Sequence, residues 1–80
     1  MKTNLTEFTR YLIENLVSKP EEVKIKEEEK EGVIHLFVDV AEEDRGRLIG
    51  KEGRIITSLR HLINIKAQKE GQRFYLTLDF

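Results

Sequence analysis

The chemistry of this sequence is concentrated at two glycines, Gly50 and Gly53, with Lys51 and Glu52 between them. Glycine has no Cβ atom, so it permits positive φ angles and lets a ligand backbone come close. A helical pattern begins directly after Gly53, and the amides at a helix N-terminus attract anions. Lys51 and Arg54 place positive charge beside that opening. The segment therefore predicts an anion site, although a tight corner between two helices would need the same glycines for geometry alone.

Better-defined phosphate and DNA motifs are excluded by the spacing. A P-loop follows GxxxxGK[ST], but the stretch from Gly46 to Gly50 is one residue too short and Glu52 replaces the Ser or Thr that holds Mg²⁺. The dinucleotide motif GxGxxG does not occur in the chain. A helix-turn-helix DNA reader does not normally need glycine at both ends of its turn. We therefore predict neither a nucleotide-binding enzyme nor a DNA reader of this kind.

The other polar residues do not predict catalysis. His35 and His61 have no Cys, Asp or second His at the spacing of metal ligands. Thr57 and Ser58 have no evident general base, and the chain contains no cysteine. We therefore expect no enzymatic activity, no metal and no cofactor.

Composition and charge set the limits of the domain. Eighty residues, of which 39% are apolar and 36% charged, are typical of one globular domain that spans residues 1–80. Residues 1–43 carry six Lys or Arg and eleven Asp or Glu, whereas residues 44–80 carry eight and four. A basic half of this kind indicates a polyanion site or simply a solvated helix face. The polar N-terminal residues and the lack of a long apolar run predict an intracellular protein with no signal peptide and no membrane span.

Three predicted elements precede the glycine pair. The first is a helix that continues to about Lys19. Its apolar residues recur at helical spacing, at Leu5, Phe8, Leu12 and Leu16. Two runs of alternating apolar and polar residues follow, at 23–29 and 34–40, and Glu31-Gly32 marks a turn between them. We therefore predict a hairpin with one buried face.

Three further elements complete the chain. A short helix should run from the acidic residues 42–44 to about Ile49, and a longer one from Gly53 to the break at Gly71. The last alternating run, residues 74–80, predicts a strand. Two intervening helices allow a right-handed parallel crossover between the second and third strands. The order α-β-β-α-α-β therefore predicts an α+β fold, with a three-stranded mixed sheet covered on one face by helices.

Aromatic residues are not part of the predicted anion site. None of the six aromatic side chains lies near the glycine pair in the sequence. Phe37 and Tyr75 share the face of the predicted sheet that points away from the helices. They would either stack bases or form an ordinary half-exposed sheet face.

Residues 49–56, Ile-Gly-Lys-Glu-Gly-Arg-Ile-Ile, resemble the KH-domain signature IGxxGxxI. The signature lies between two helices, as that family requires, and the order α-β-β-α-α-β is similar to the type II KH arrangement. The wider stretch from Asp44 to Arg54, followed by Leu59-Arg60, resembles the small stand-alone bacterial KH proteins of the KhpA type. The similarity covers nearly the whole chain, because that family has about this length.

The resemblance implies a cytoplasmic RNA-binding protein that holds about four nucleotides of single-stranded RNA between the GxxG loop and a helix. It further implies an RNA chaperone or post-transcriptional regulator. Gly50, Lys51, Glu52 and Gly53 would clamp the RNA backbone. The whole candidate RNA-binding set is Arg47, Ile49, Gly50, Lys51, Glu52, Gly53, Arg54 and Ile56. The alternative is an interaction domain, a KH-like module that dimerises or docks on a partner and binds little RNA.

The long helix predicts a second surface. On a helical wheel Ile56, Leu59, Ile63 and Ala67 face the sheet, and Ile55, Leu62 and Ile65 extend the apolar arc along one side. Either the first helix packs over this flank, or it remains free for a helix–helix contact. The resemblance favours the contact, since KhpA-type proteins form homodimers and pair with a larger KH-containing protein of the KhpB type. We therefore expect a dimer interface centred on Leu62.

Overall fold

The computed structural model describes residues 4–80. Helix α1 spans Asn4–Glu14, and strands β1 and β2 span Lys24–Lys30 and Val33–Asp39. Helix α2 spans Arg45–Ile49, helix α3 spans Arg54–Lys69, and strand β3 spans Arg73–Leu78. The predicted α+β class and the order α-β-β-α-α-β are both confirmed.

The sheet has the predicted mixed topology, with strand order β1-β2-β3. Strands β1 and β2 are antiparallel, and β3 runs parallel to β2 with Leu36 opposite Leu76. The hairpin turn is Glu31-Gly32, and both residues have positive φ angles, of 55° and 77°. Two consecutive positive φ angles match the right-handed twist of the flanking strands. The turn therefore fixes the register that buries one face of the sheet.

The core lies between the helices and that one face of the sheet. Strand β2 alternates buried and half-buried residues along its whole length. Helix α3 buries the four residues that the wheel predicted, Ile56, Leu59, Ile63 and Ala67. Helix α1 adds Leu5 and Ile13, both fully buried. The other face of the sheet has no helix over it within residues 4–80.

The predicted end of the first helix was wrong. Helix α1 ends at Glu14, five residues before Lys19. The side-chain amide of Asn15 donates to the Tyr11 carbonyl oxygen at 2.7 Å, which competes with continued helix. The backbone from Ser18 onward is then held by a carboxylate that lies 26 residues away in the sequence. A contact of that range leaves no local sequence signal.

No helix among the described residues combines the length and the apolar character that a membrane crossing requires.

Candidate nucleic-acid interface

A sharp corner between α2 and α3 forms the centre of the site. Gly50 ends α2 with φ 78° and ψ 173°. One 3-10 turn, Lys51–Gly53, follows, and α3 begins at Arg54. Within the turn Glu52 and Gly53 both have left-handed conformations, with φ angles of 57° and 74°. We name residues 50–53 the GxxG loop.

Glycine is needed at positions 50 and 53 for different structural reasons. A Cβ atom on Gly50 would lie 2.3 Å from Cγ1 and 2.8 Å from the backbone nitrogen of Ile55, so only glycine lets α3 close against the end of α2. A Cβ atom on Gly53 would meet nothing within 4 Å. Gly53 is therefore required only for its positive φ, and the space in front of it is open. A purely geometric corner accounts for Gly50, while the open space at Gly53 leaves room for a ligand.

The GxxG loop has both paired and unpaired backbone amides. The Gly53 amide donates to the Gly50 carbonyl oxygen at 3.2 Å, and the Arg54 amide donates to the Lys51 carbonyl oxygen. Within residues 4–80 the amides of Lys51 and Glu52 donate to no backbone acceptor. Two adjacent unpaired amides in a tight turn are the donors that an anion requires. Both amides lie within residues 50–53, the segment that the sequence predicted as the backbone clamp.

The charged side chains around the loop differ in whether they already form an ion pair. Arg54 forms an ion pair with Glu52, with 3.1 Å between Nη2 and Oε1, and both side chains are largely exposed. An exposed ion pair contributes only about 0–1 kcal/mol, so a phosphate can compete with Glu52 for Arg54. Lys51 and Arg47 are exposed, and neither forms an ion pair with another described residue. Lys51 is therefore an exposed cation in the loop with no ion pair to another described residue.

The predicted apolar residues of the site are not equivalent. Ile49 is half-buried at the end of α2. Ile56 is only 5% exposed and packs in the core. Its contribution to the site is therefore to hold the first turn of α3 on the sheet, and Ile49 is the one of the two that reaches the surface.

The sequence predicted a groove between the GxxG loop and a helix, but not the residues that border the groove beside α3. Arg60, His61, Asn64 and Phe74 border a groove of about 290 Å³ between α3 and β3. Arg60 donates from Nη2 to the Leu76 carbonyl oxygen at 3.2 Å, which fixes its guanidinium over the edge of β3. Arg60 lies six residues after Arg54, or about 9 Å along the helix. The sequence has no specific signal for this groove, because polar residues at i, i+4 spacing such as Arg60 and Asn64 occur on any exposed helix face.

A buried carboxylate sets the position of α2. Asp44 is fully buried and accepts hydrogen bonds from the Ser18 amide at 2.9 Å, the Ser18 hydroxyl at 2.8 Å and the Lys19 amide at 3.0 Å. The Ser18 amide, followed by the Ser18 hydroxyl and the Lys19 amide, keeps the pKa of this carboxyl below its ordinary value, and burial opposes that shift. The sequence indicated a helix-start charge at Asp44. Its actual contact ties the α1–β1 connection to the residue before α2 and so supports the GxxG loop.

The apolar flank of α3 is exposed. Ile55, Leu62 and Ile65 are 37%, 47% and 63% exposed, and we name them the α3 strip. Helix α1 contacts α3 next to this strip, where the Phe8 ring centroid lies 5.8 Å from the Lys66 ammonium, and it leaves all three side chains accessible. The alternative in which α1 covers the strip is therefore wrong.

The fold and the corner together define a class of protein. A βααβ unit with a GxxG loop between its helices, preceded by an α-helix and a strand, is the type II KH domain. The chain belongs to the KhpA/KhpB family of KH domains, whose family model matches residues 6–78.

Curated relatives agree with this family. A chlamydial protein named RNA-binding protein KhpA, from Chlamydia pneumoniae, is 42% identical over 92% of this chain and 95% of its own length. Proteins of the same name are 37% identical in Treponema pallidum, over 98% of both chains, and 42% identical in Clostridium acetobutylicum, over 78% of this chain and 83% of the relative. No solved structure shows a significant match to the chain.

Proposed function

We propose that this protein binds single-stranded RNA in the cytoplasm and holds about four nucleotides at the GxxG loop and the groove beside α3. It acts there as an RNA chaperone or post-transcriptional regulator. The single observation that carries the proposal is the loop tip, where two unpaired amides and Lys51 border the open space at Gly53. The relatives named RNA-binding proteins support it.

The geometry supports separate sites for the phosphates and the bases along α3. Phosphates accept from the amides of Lys51 and Glu52 and pair with the Lys51 ammonium. Arg54 exchanges its exposed contact with Glu52 for a phosphate oxygen. Bases lie along the groove that Arg60 and Phe74 border. Glu52 limits the affinity, because its charge stays close to the phosphates.

A competition experiment tests this function. Single-stranded RNA should displace a labelled single strand far better than a perfect duplex of the same sequence does, because the loop is a narrow clamp and not a duplex-spanning surface. Sequence selectivity should be modest, since most donors are backbone amides. Equal or tighter binding of the duplex would contradict the proposal.

A second candidate function is protein–protein interaction. The exposed α3 strip favours it, because three large aliphatic side chains in one row are rarely left in water without a partner. A two-fold helix–helix contact centred on Leu62 would form a homodimer, and the same strip could receive the larger KH-containing partner. Such a module need not bind RNA.

Salt separates the two candidates. RNA affinity that depends on phosphate contacts falls steeply as the salt concentration rises. Binding releases counterions from the RNA, and this release becomes less favourable at higher salt. An apolar contact through the α3 strip does not weaken in this way. RNA affinity that stays constant between low and moderate salt would contradict binding through phosphates, and a salt-resistant protein–protein contact without measurable RNA affinity would favour the interaction module.

A further inference from the structure

The sheet face that lies away from the helices carries an ordered aromatic cluster. Because directly opposite residues of neighbouring strands share a face, the register places His35 beside Tyr75, and Phe37 two residues further along β2. The His35 and Tyr75 rings have centroids 5.5 Å apart and a tilt of 35°. Tyr75 is 60% exposed, and the other two rings are half-buried. We name these three residues the sheet-face aromatics.

Cations frame this cluster on both edge strands. Lys30 and Arg73 lie on either side of Val33 at one end of the face, and Lys24 lies at the other end. All three cations are exposed, and none of them forms an ion pair with another described residue. Stacking rings between unpaired cations form the usual surface for single-stranded nucleic acid.

The carboxylates of the same face are largely neutralised. Glu28 pairs with Lys26 at 3.2 Å, and Asp39 pairs with Arg45 at 3.3 Å. Asp79 remains, at the border of a groove of about 360 Å³ that Phe37 and Lys24 also line. A carboxylate there repels phosphate but accepts a hydrogen bond from the amino group of a base. The phosphates are therefore expected at the end of the face that carries Lys30 and Arg73.

We propose that this open sheet face is a second binding surface for single-stranded RNA, on which two or three bases stack on the sheet-face aromatics. Sheets of other RNA-binding folds use aromatic side chains on an open face in this way. A second copy of the chain fits the face less well, because a two-fold contact would bring the same unpaired cations together. The surface is separate from the GxxG loop, so one RNA that is long enough to reach both can bind at both.

The test compares RNA lengths in a set of variants. Tyr75→Ala should weaken binding of single-stranded RNA of about twelve nucleotides by about tenfold and leave RNA of about four nucleotides unaffected. Tyr75→Phe keeps the ring and should retain the affinity. Tyr11→Ala removes an equally exposed tyrosine on α1 and should change nothing. Arg73→Glu should weaken binding of the longer RNA and make the remaining affinity less dependent on salt, because one phosphate contact is lost.

Photocrosslinking locates the contact independently. RNA of about twelve nucleotides that contains 4-thiouridine should crosslink to the peptide that carries Tyr75, as well as to the GxxG loop. Crosslinks confined to the loop, with full affinity in Tyr75→Ala, would overturn the second surface and leave the proposed function intact. Loss of binding in Tyr75→Ala, with normal binding in loop variants, would support the sheet face and overturn the loop. A changed oligomeric state in Tyr75→Ala with unchanged RNA affinity would make the face a protein contact and overturn the proposal.

Discussion

Gly50 and Gly46 lie four residues apart and should respond to alanine in opposite ways. A Cβ on Gly50 collides with Ile55 and is strained at φ 78°, so Gly50→Ala should lower the free energy of unfolding by about 3 kcal/mol. Gly46 lies inside α2 with open space around it, so Gly46→Ala should raise the free energy of unfolding by ~0.5–1 kcal/mol. Urea unfolding followed by circular dichroism measures both.

Gly53 provides the intermediate case in the same measurement. It has a left-handed conformation but no neighbour within 4 Å, so Gly53→Ala should cost only about 1 kcal/mol. The same change should weaken RNA binding, because the methyl group fills the open space at the loop. If Gly50→Ala were no more destabilising than Gly53→Ala, the close packing of Gly50 against Ile55 would be refuted.

Asp44 predicts how stability depends on pH. Its folded-state pKa is lowered, chiefly by the Ser18 amide, so the carboxylate stabilises the fold above its ordinary value of 3.8. This stabilisation is lost as the pH falls through the lower folded-state pKa. Asp44→Asn should therefore destabilise the protein strongly at pH 7, since an amide cannot accept all three hydrogen bonds, and the difference should shrink at acidic pH.

Its neighbour provides the control for this pH series. Glu43 forms an exposed ion pair with Lys19 at 2.6 Å, so Glu43→Gln should change stability little at any pH. Urea unfolding of both variants from pH 7 down to about pH 3 measures the effect. A deficit of Asp44→Asn that stayed constant over this range would show that charge at Asp44 is unimportant.

At the scale of elements, periodicity predicted most of the fold. The alternation in β2 and the helical spacing in α3 identified their buried faces, because one face of each packs on a single core. Glu31-Gly32 marked the turn, since glycine adopts positive φ without strain. The end of α1 could not be predicted, because Asp44 holds Ser18 through a long-range contact. Patterns of neighbouring residues in the sequence do not indicate contacts of such long range.

The α3 strip predicts an oligomer. Leu62→Glu should give a folded monomer, since a charge at the centre of an apolar helix–helix contact is left without a partner. Gln68→Glu places the same charge on the same helix outside the strip and should leave the oligomeric state unchanged. Multi-angle light scattering at tens of micromolar, a range in which such contacts form, measures both. A monomeric unsubstituted chain, or an intact Leu62→Glu dimer, would remove the dimer hypothesis.

At the scale of the whole molecule, the charge asymmetry of the sequence corresponds to different elements of the fold. The GxxG loop and its cations lie in the basic half, residues 44–80, while the acidic half supplies α1 and the hairpin. The motif predicted where the loop would be. The separation of loop amides into paired and unpaired groups could not be predicted, because it depends on a 3-10 turn whose geometry is set by packing at Gly50.

We propose above all that RNA is clamped at the tip of the GxxG loop. Replacing Lys51 and Glu52 by two aspartates puts like charge against phosphate at an exposed corner, where the fold does not depend on either side chain. The matched control is Lys69→Asp with Glu70→Asp, which changes the net charge equally at the other end of α3, about 24 Å away.

The decisive measurement is the fluorescence anisotropy of labelled single-stranded RNA of about four nucleotides, short enough to report the loop alone. The Lys51 and Glu52 double variant should keep its circular dichroism spectrum and lose affinity by on the order of 100-fold. The Lys69 and Glu70 control should bind nearly as well as the unsubstituted chain. Unchanged affinity in a folded Lys51 and Glu52 variant would contradict the clamp.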